Sequence, residues 1–259
     1  MIHPGSPTSS VILHVPHSST TIPPDVRSGI ALDDAGLARE LLRMTDAYTD
    51  RIAAVAAAEA AVTPWQVVND FSRLVIDPER FPDAREEMRA VGMGAVYTRT
   101  SDGSTLRTPD PLAEAGLISR YFTPYAAALT ELVDDRLRAC GTVTIIDVHS
   151  FPRVALAYEL HSDLDRPEIC IGRNDIHTPP QLVDAALEAF SGFGNVDTNQ
   201  PFIGTYVPLA HYGVDTRVRS VMLEVRRDLY MDEESGEPDD AAVHDLGAAL
   251  ARLIDAASG

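Results

Sequence analysis

The segment TVTIIDVHSF (residues 142–151) decides the fold class. It opens with apolar or β-branched residues, Val143–Ile146, and continues into an aspartate, a histidine and a serine. The run predicts a central strand, and Asp147 and His149, two positions apart, would point to the same side of it. Ionisable side chains are rarely buried unless they are paired or bind a metal. The segment therefore predicts a core strand that ends in a functional site.

Two further segments follow the same plan. His17 comes just after a strand predicted at Val11–Val15, and Glu224 follows an apolar run inside RVRSVMLEVRRDLY (residues 217–230). In α/β folds, sites are built at the carboxyl ends of strands. We therefore expect His17, His149 and Glu224 to meet in one crevice.

Each of these residues also has a purely structural explanation. His17 can be a hydrogen-bonded histidine at a strand end, and His149 can pair with Asp147. Glu224 can form an ion pair with one of the two arginines that follow it. The three explanations would all have to hold independently, which favours a site. Two histidines and a carboxylate with an open fourth position suit a catalytic zinc ion, and a glutamate that is not a ligand can serve as general base.

Helical patterns alternate with the predicted strands. Residues 31–60 read as helix, with a bend or restart near MTDAYTD (residues 44–50), where helix propensity falls. Three further helices are predicted over residues 110–141, 178–194 and 239–258. This alternation predicts an α/β fold with a largely parallel or mixed sheet and helices on both faces. No repeat or linker divides the chain, so we predict a single domain over residues 1–259.

Composition and charge exclude several classes of function. The formal net charge of −18 over 259 residues would repel a phosphate backbone, so we predict no nucleic-acid partner. Two cysteines without a C-x-x-C pair, and no signal sequence, predict a reduced, cytoplasmic protein. No apolar run approaches the ~18 residues of a membrane helix, so we predict no membrane association. The sequence is compatible with a monomer or a small homo-oligomer.

The segment FSRLVIDPERFPD (residues 71–83) concentrates arginine near apolar residues. Arg73 and Arg80 can form an anion clamp, because guanidinium groups match carboxylates with two parallel hydrogen bonds. The alternative is a structural ion pair of Arg73 with Asp77, which share one face if RLVID is a strand. In a chain this acidic we favour substrate binding by both arginines, and we predict the same role for Arg227.

The other histidines are weaker candidates. His14 lies in the middle of a predicted strand, where a core position or a place behind the site is expected. The remaining five are predicted to lie in loops or on an exposed helix, away from the site: His3, His161, His177, His211 and His244.

Seven segments, taken in order, resemble the N-formylglutamate amidohydrolase family. They are HVPHSS (14–19), TDAYTDRI (45–52), FSRLVIDPERFPD (71–83), GAVYTRT (94–100), IIDVHSFP (145–152), PFIGTY (201–206) and MLEVRRDLYMDE (222–233). The resemblance covers roughly residues 11–234. It implies a hydrolase with one zinc ion and a fold like that of the zinc carboxypeptidases, a three-layer α/β/α sandwich with a mixed, mostly parallel central sheet.

The resemblance also implies a role for each site residue. His17 and His149 match two histidine ligands of the zinc ion, and Glu224 matches a late catalytic glutamate. Asp46 stands where an acid carried by the first helix is expected, here an aspartate instead of a glutamate. Asp147 is predicted to orient a ligand histidine from behind. The residues by themselves leave open whether Asp46 or Asp147 is the third ligand.

The implied reaction is hydrolysis of the amide bond of an N-formyl or other N-acyl amino acid. Its simplest form converts N-formyl-L-glutamate and water to formate and L-glutamate, a step of histidine breakdown. Arg73 and Arg80 match arginines that grip the carboxylates of such a small anionic substrate, and Arg73 would also stabilise the oxyanion. An amidase acting on another acyl amino acid or a cell-wall peptide, and a non-catalytic relative that binds an acidic ligand, are the alternatives.

The chain departs from the family pattern at two positions. Ser18 and Ser19 follow the first histidine where many relatives have a glycine. Glu79 precedes Arg80 where an asparagine is frequent, which adds a negative charge beside that arginine. The second departure predicts a shifted substrate preference.

Overall fold

The computed structural model describes residues 1–159 and 164–258, and within them seven strands form one mixed sheet. The strands are β1 (Ile2–His3), β2 (Val11–Val15), β3 (Trp65–Val68), β4 (Val143–Phe151), β5 (Ile169–Gly172), β6 (Val196–Thr198) and β7 (Val218–Arg226). Their order is β1-β3-β2-β4-β7-β5-β6. Strands β3, β2, β4 and β7 run parallel, whereas β1 and β5 pair antiparallel with β3 and β7. The predicted mixed, mostly parallel sheet is confirmed.

Helices cover both faces of this sheet. They are α1 (Pro24–Arg27), α2 (Asp34–Met44), α3 (Thr49–Glu59), α4 (Pro111–Leu117), α5 (Thr123–Cys140), α6 (Pro180–Phe190) and α7 (Asp240–Ala257). Helices α3, α6 and α7 pack on one face, against a core that includes Leu13, Val148 and Leu223. Helix α5 packs on the other face, against Ile12 and Ile145. Each fully buried side chain of this size contributes about 1.5–3 kcal/mol, so both layers stabilise the sheet.

The predicted restart in the first long helical segment is present and shapes the site. Helix α2 ends at Met44 and α3 begins at Thr49, and between them Tyr48 has a φ of 65°, a left-handed conformation that few non-glycine residues adopt. The Tyr48 hydroxyl donates to Gly236 O at 2.7 Å, and Asp46 N donates to His17 O at 3.0 Å. These bonds fix Asp46 in the turn, beside the end of β2.

The segment RLVID (residues 73–77) differs from its prediction, because it forms turns instead of a strand. Ser72 O accepts from Val75 N at 2.8 Å, and Ser72 Oγ accepts from Leu74 N at 3.1 Å. A serine that binds nearby backbone groups competes with the ladder of a sheet, and here the local turn prevails. The interaction of Arg73 with Asp77 is therefore a contact within a loop.

Among residues 1–159 and 164–258, no helix is both long and apolar enough to cross a membrane.

Candidate active site

The site lies on the α5 side of the sheet, toward the carboxyl ends of three neighbouring strands. His14 of β2 is paired in register with Asp147 of β4, and His149 of β4 with Glu224 of β7. Strands β4 and β7 each continue for two residues beyond His149 and Glu224. These two residues therefore lie inside the strands, as the sequence predicted for His149 within residues 142–151 and for Glu224 within residues 217–230. His17 does follow its strand, two residues after β2 ends.

One cavity of ≈ 530 Å³ is lined by all the residues that the sequence predicted to bind metal or substrate or to take part in catalysis. Its wall includes all eight: His17, Asp46, Arg73, Arg80, Asp147, His149, Glu224 and Arg227. This volume lies within the 300–1,000 Å³ typical of small-molecule sites. The structure therefore brings the predicted residues together, in a cavity large enough for a small substrate.

Three ligand-type atoms form a compact triangle at the base of the cavity. Nδ1 of His17 and Nδ1 of His149 are 3.3 Å apart, and Oδ2 of Asp46 is 3.5 Å from the first and 3.2 Å from the second. All three side chains are nearly fully buried. Ligands about 2.0–2.2 Å from a tetrahedral zinc ion would be about 3.3–3.6 Å apart. The spacing of these atoms fits three ligands of one such ion.

Asp147 has a different place in the cluster. Its Oδ1 lies 3.0 Å from Nε2 of His149, on the far side of the imidazole ring from Asp46. The same oxygen is 2.8 Å from Nδ1 of His14. Asp147 thus contacts the ring from behind, and Asp46 is the carboxylate that completes the triangle with both Nδ1 atoms.

Carboxylates also face the Nε2 atom of each histidine. Asp77 Oδ1 is 3.0 Å from Nε2 of His17, while Asp147 Oδ1 and Glu79 Oε2 are 3.0 and 3.2 Å from Nε2 of His149. Metal-binding histidines generally present their other ring nitrogen to such an acceptor, which fixes the tautomer and the ring orientation. With Nε2 protonated, each Nδ1 would present its lone pair toward Asp46. Two groups of described side chains are close enough to hold a metal ion, His17 with Glu79 and His149, and His14 with Glu79 and Asp147. Glu79 Oε2 is 3.8 Å from His17 Nε2 and 3.2 Å from His149 Nε2, so Asp46, at 3.5 and 3.2 Å from the two Nδ1 atoms, makes the tighter set.

A hydrogen-bonded network supports the cluster from inside the sheet. His14 is fully buried, with Nδ1 bonded to Asp147 and Nε2 2.7 Å from the hydroxyl of Tyr125. Tyr206 N donates to the second carboxylate oxygen of Asp147 at 3.2 Å. The His14 ring also lies 4.5 Å from the ring of Tyr206. The predicted place of His14 behind the site agrees with these contacts.

Electrostatics keep the carboxylate of Asp46 ionised. Burial favours the neutral acid, but hydrogen bonds with His149 and His17 and the charge of Arg73 hold the pKa of Asp46 well below its usual range. Burial likewise disfavours a charged imidazole, yet the charges of Asp147 and Glu79 raise the pKa of His149 well above its usual value. Without a metal the site thus accumulates protons on its histidines, and a cation would displace them.

Glu224 stands apart from the triangle. Its Oε2 is buried and has no hydrogen-bond partner among the described residues. Burial raises the pKa of this carboxyl to about 8, although the neighbouring His149 charge opposes the shift. A carboxyl with a free oxygen and a pKa near neutrality suits proton transfer.

Arg73 and Arg80 differ in how closely protein acceptors contact their guanidinium groups. Arg73 donates from Nε to the Tyr97 hydroxyl and from Nη2 to Asp77 Oδ2, both at 2.9 Å. Arg80 has only longer contacts within the described chain, 3.7 Å to Asp77 Oδ2 and 3.7 Å to Glu86 Oε1, and 28% of its side chain is exposed. Arg80 therefore has guanidinium donors available to a ligand in the cavity.

Arg227 also lines the cavity wall. It was expected to bind substrate, but its donors are engaged by protein acceptors. Nη2 donates to Asp46 Oδ1 at 2.9 Å, Nη1 to Arg43 O at 2.6 Å and Nε to Ser150 Oγ at 3.1 Å. Only 4% of the residue is exposed. Arg227 orients the carboxylate of Asp46.

Sequence reasoning missed two carboxylates of the site. Asp77 was considered only as a partner of Arg73, and Glu79 only as a charge beside Arg80, yet each contacts a histidine of the triangle. The density of charged residues in DPER (residues 77–80) is the sequence signal that could have identified them. Five histidines were predicted to be uninvolved. Four of them are absent from the described cavity wall: His3, His177, His211 and His244. The fifth, His161, lies outside the described residues.

Two solved structures share the fold of this chain. Among solved structures, N-formylglutamate amidohydrolase from Ralstonia eutropha JMP134 is similar, with a TM-score of 0.81 and 24% identity over 96% of this chain and 93% of that one. A gene product of Agrobacterium tumefaciens has a TM-score of 0.70 and 20% identity over 98% of this chain and 92% of that one. At these identities the two structures establish the fold. Curated protein sequences gave no significant match.

A sequence profile decides the family. The profile of N-formylglutamate amidohydrolase matches residues 9–231, which span the whole cavity from His17 to Arg227. The chain belongs to the N-formylglutamate amidohydrolase family.

Proposed function

We propose that this protein is a zinc-dependent amidohydrolase that cleaves an N-formyl amino acid to formate and the free amino acid. The triangle of His17 Nδ1, His149 Nδ1 and Asp46 Oδ2, with its edges of 3.2–3.5 Å, carries the proposal. Family membership supports hydrolysis of an amide, and N-formyl-L-glutamate is the reference substrate.

His17, Asp46 and His149 would hold the ion. Zinc bound there would act as a Lewis acid, lowering the pKa of water from ~15.7 towards ~7 and polarising a carbonyl group. Asp77, hydrogen-bonded to His17 Nε2, and Asp147, 3.0 Å from His149 Nε2, would hold the two imidazole rings in place for such an ion. Arg227, which donates a hydrogen bond to Asp46 Oδ1, would hold that carboxylate in place.

Glu224 moves the proton. Its Oε2, which has no partner among the described residues, accepts a proton from the attacking water and then delivers that proton to the departing nitrogen of the amino acid. A buried carboxyl with a raised pKa is suited to both steps, because it gives up and takes up a proton near neutral pH. Positioned proton transfer of this kind contributes about 10²–10⁴-fold to a rate.

The arginines bind and stabilise the substrate. Arg80 donates its available N–H groups to a carboxylate of the amino acid, in the bidentate arrangement that guanidinium favours. Arg73 lies nearer the triangle, with Nη1 3.8 Å from Asp46 Oδ1, and stabilises the charge that develops on the amide oxygen.

The biological setting follows from the substrate. We propose a cytoplasmic enzyme of amino-acid breakdown that acts on a small anionic molecule, without nucleic acid or membrane. The step belongs to histidine catabolism if N-formyl-L-glutamate is the natural substrate. A monomer or small homo-oligomer suffices, because one chain supplies every residue of the proposed site.

A substrate panel with and without chelator tests the proposal. We expect the purified protein to hydrolyse N-formyl amino acids faster than N-acetyl or N-carbamoyl ones, to lose activity in a chelator, and to regain it with zinc. Elemental analysis should find about one zinc per chain. Full activity after complete metal removal would contradict zinc dependence, and a protein that binds but never cleaves these compounds would be a non-catalytic relative.

A further inference from the structure

Glu79 lines the cavity wall and has no step in the proposed reaction, although it is close enough to His17 and His149 to form a ligand-type group with them. Its Oε2 lies 3.2 Å from His149 Nε2, and its Oε1 lies 3.4 Å from His14 Nδ1. Oε1 is buried, and none of the described residues donates a hydrogen bond to it. The side chain is 17% exposed. Leaving a buried acceptor unpaired is unfavourable, so a donor brought by a ligand would improve the site.

Of the donors near Glu79, those of His14 and Tyr206 already have other acceptors. His14 Nδ1 is 2.8 Å from Asp147 Oδ1, and His14 Nε2 is 2.7 Å from the Tyr125 hydroxyl. Tyr206 N donates to Asp147 Oδ2 at 3.2 Å. His149 Nε2 lies between Glu79 and Asp147, and closer to Asp147. The described protein thus leaves Oε1 of Glu79 without a donor, on a side chain that lines the cavity.

Carboxyl groups outnumber arginines in the cavity wall, which disfavours a substrate with two negative charges. The described wall holds five arginines and eight carboxyl groups. Two of the arginines at its base are already matched at 2.9 Å, Arg73 by Asp77 and Arg227 by Asp46. Arg80 is the arginine beside Glu79 with donors to offer, and its nearest described carboxylates are 3.7 Å away. Arg43 also lines the wall, and its contact with Asp102 is 3.7 Å. With one substrate carboxylate at Arg80, a second carboxylate placed against Glu79 would meet its negative charge.

We infer that Glu79 is a specificity residue that selects N-formyl amino acids with one carboxylate and a hydrogen-bond donor in the side chain over N-formyl dicarboxylates. The carboxylate of Glu79 accepts the donor of an uncharged, carboxamide-type side chain and repels a side-chain carboxylate. This inference rests on the proposed function for the reaction and concerns which amino acid that reaction releases.

N-formyl-L-glutamine and N-formyl-L-glutamate form a matched pair of probes. They have nearly the same shape and differ in whether the side chain donates hydrogen bonds or carries a negative charge. Sites built around a hydrogen bond to substrate discriminate strongly, so we expect kcat/KM to favour the glutamine compound by about tenfold or more in the parent protein. Glu79→Gln should shift that ratio toward the glutamate compound by about the same factor.

Glu87→Gln is the control, because Glu87 lies on the same cavity wall and is exposed. It removes one negative charge without removing the acceptor at Glu79, so its ratio should equal that of the parent. Zinc content is measured for all three proteins. A Glu79→Gln protein that loses zinc but keeps the parental ratio would show that Glu79 only supports His149, and would overturn the inference.

Calorimetric binding of the free products separates this inference from the proposed reaction. L-glutamine should bind the zinc-loaded parent protein more tightly than L-glutamate, and Glu79→Gln should remove or reverse that preference. If neither formyl compound is cleaved, the proposed function fails, while the binding ratio still decides the role of Glu79. Tighter binding of L-glutamate by the parent, or a ratio unchanged by Glu79→Gln, would overturn it.

Discussion

The two halves of β4 are equally buried but chemically opposite. Val143–Ile146 carries apolar and β-branched side chains that pack between the helical layers. Asp147–Phe151, the second half, places Asp147 and His149 in the interior with only 1% and 4% of their surface exposed. The difference teaches that burial by itself does not separate a core from a site. The difference lies in whether the buried side chains carry polar atoms that need hydrogen-bond or ion-pair partners.

The second half is stable only because its charges are compensated. An ionised carboxylate in an apolar interior is costly unless paired, and Asp147 has contacts with His14, His149 and Tyr206 N. The compensation is incomplete at His149, whose Nε2 has no hydrogen-bond partner among the described residues, and at its neighbour Glu224 on β7, whose Oε2 also has none. Buried groups with perturbed pKa values in a cleft are typical of functional sites. The first half has no such unmatched group, so we expect substitutions in the two halves to have different consequences.

The largest effect is expected at the triangle. His149→Ala removes a ligand atom and should reduce zinc affinity by more than the ~10–100-fold that loss of an outer partner costs. Turnover should fall with the metal. Elemental analysis after dialysis against a weak chelator measures the loss, and His177→Ala, outside the described cavity wall, is the control. Full zinc occupancy in His149→Ala would contradict the assignment.

Glu224→Gln should separate chemistry from metal binding. The amide cannot accept the proton of water, so turnover should fall by about 10²–10⁴-fold. Zinc content should stay at the parental level, because Glu224 lies outside the triangle. Stopped assays of formate release, together with zinc analysis, test both parts. Parental turnover in this variant would refute the role of Glu224 as proton carrier.

The sequence predicted the strands of this site better than its loops. Apolar runs followed by His17, His149 and Glu224 indicate a site. Neighbouring parallel strands bring their carboxyl ends to the same edge of the sheet, so these side chains are expected to lie close together. The sheet class followed from the same alternation of strands and helices. These features depend on local periodicity, which a single sequence displays.

Residues in turns could not be found in this way. Asp46 lies off the apolar stripe of its helix, and only the family resemblance singled it out. Its position depends on the left-handed Tyr48 and on the bond from Asp46 N to His17 O, which are tertiary features. Glu79 likewise reaches His149 from a loop, and Asp77 N is tied to Ala95 O at 2.8 Å. Periodicity carries no information about such contacts.

Arg227 offers a sharper test of the second half of β4, because it links Ser150 of that strand to Asp46. Arg227→Lys keeps the charge but loses the fork of donors that holds both partners. We expect zinc affinity to fall by about 10–100-fold with KM unchanged once zinc is saturating. Competition with a chromogenic chelator measures affinity. A raised KM with parental zinc affinity would restore the original prediction of substrate binding.

The smallest effect is expected in the first half of β4. Ile145 is fully buried against the α5 layer and pairs in register with Ile12. Ile145→Val removes one methylene and should lower the free energy of unfolding by about 0.5–1.5 kcal/mol, measured by urea denaturation of the metal-free protein. Zinc affinity and kcat should remain parental, because no charge or ligand atom changes. If this substitution weakened zinc binding severalfold, the two halves of β4 would be energetically coupled, and the contrast between core and site along this strand would not hold.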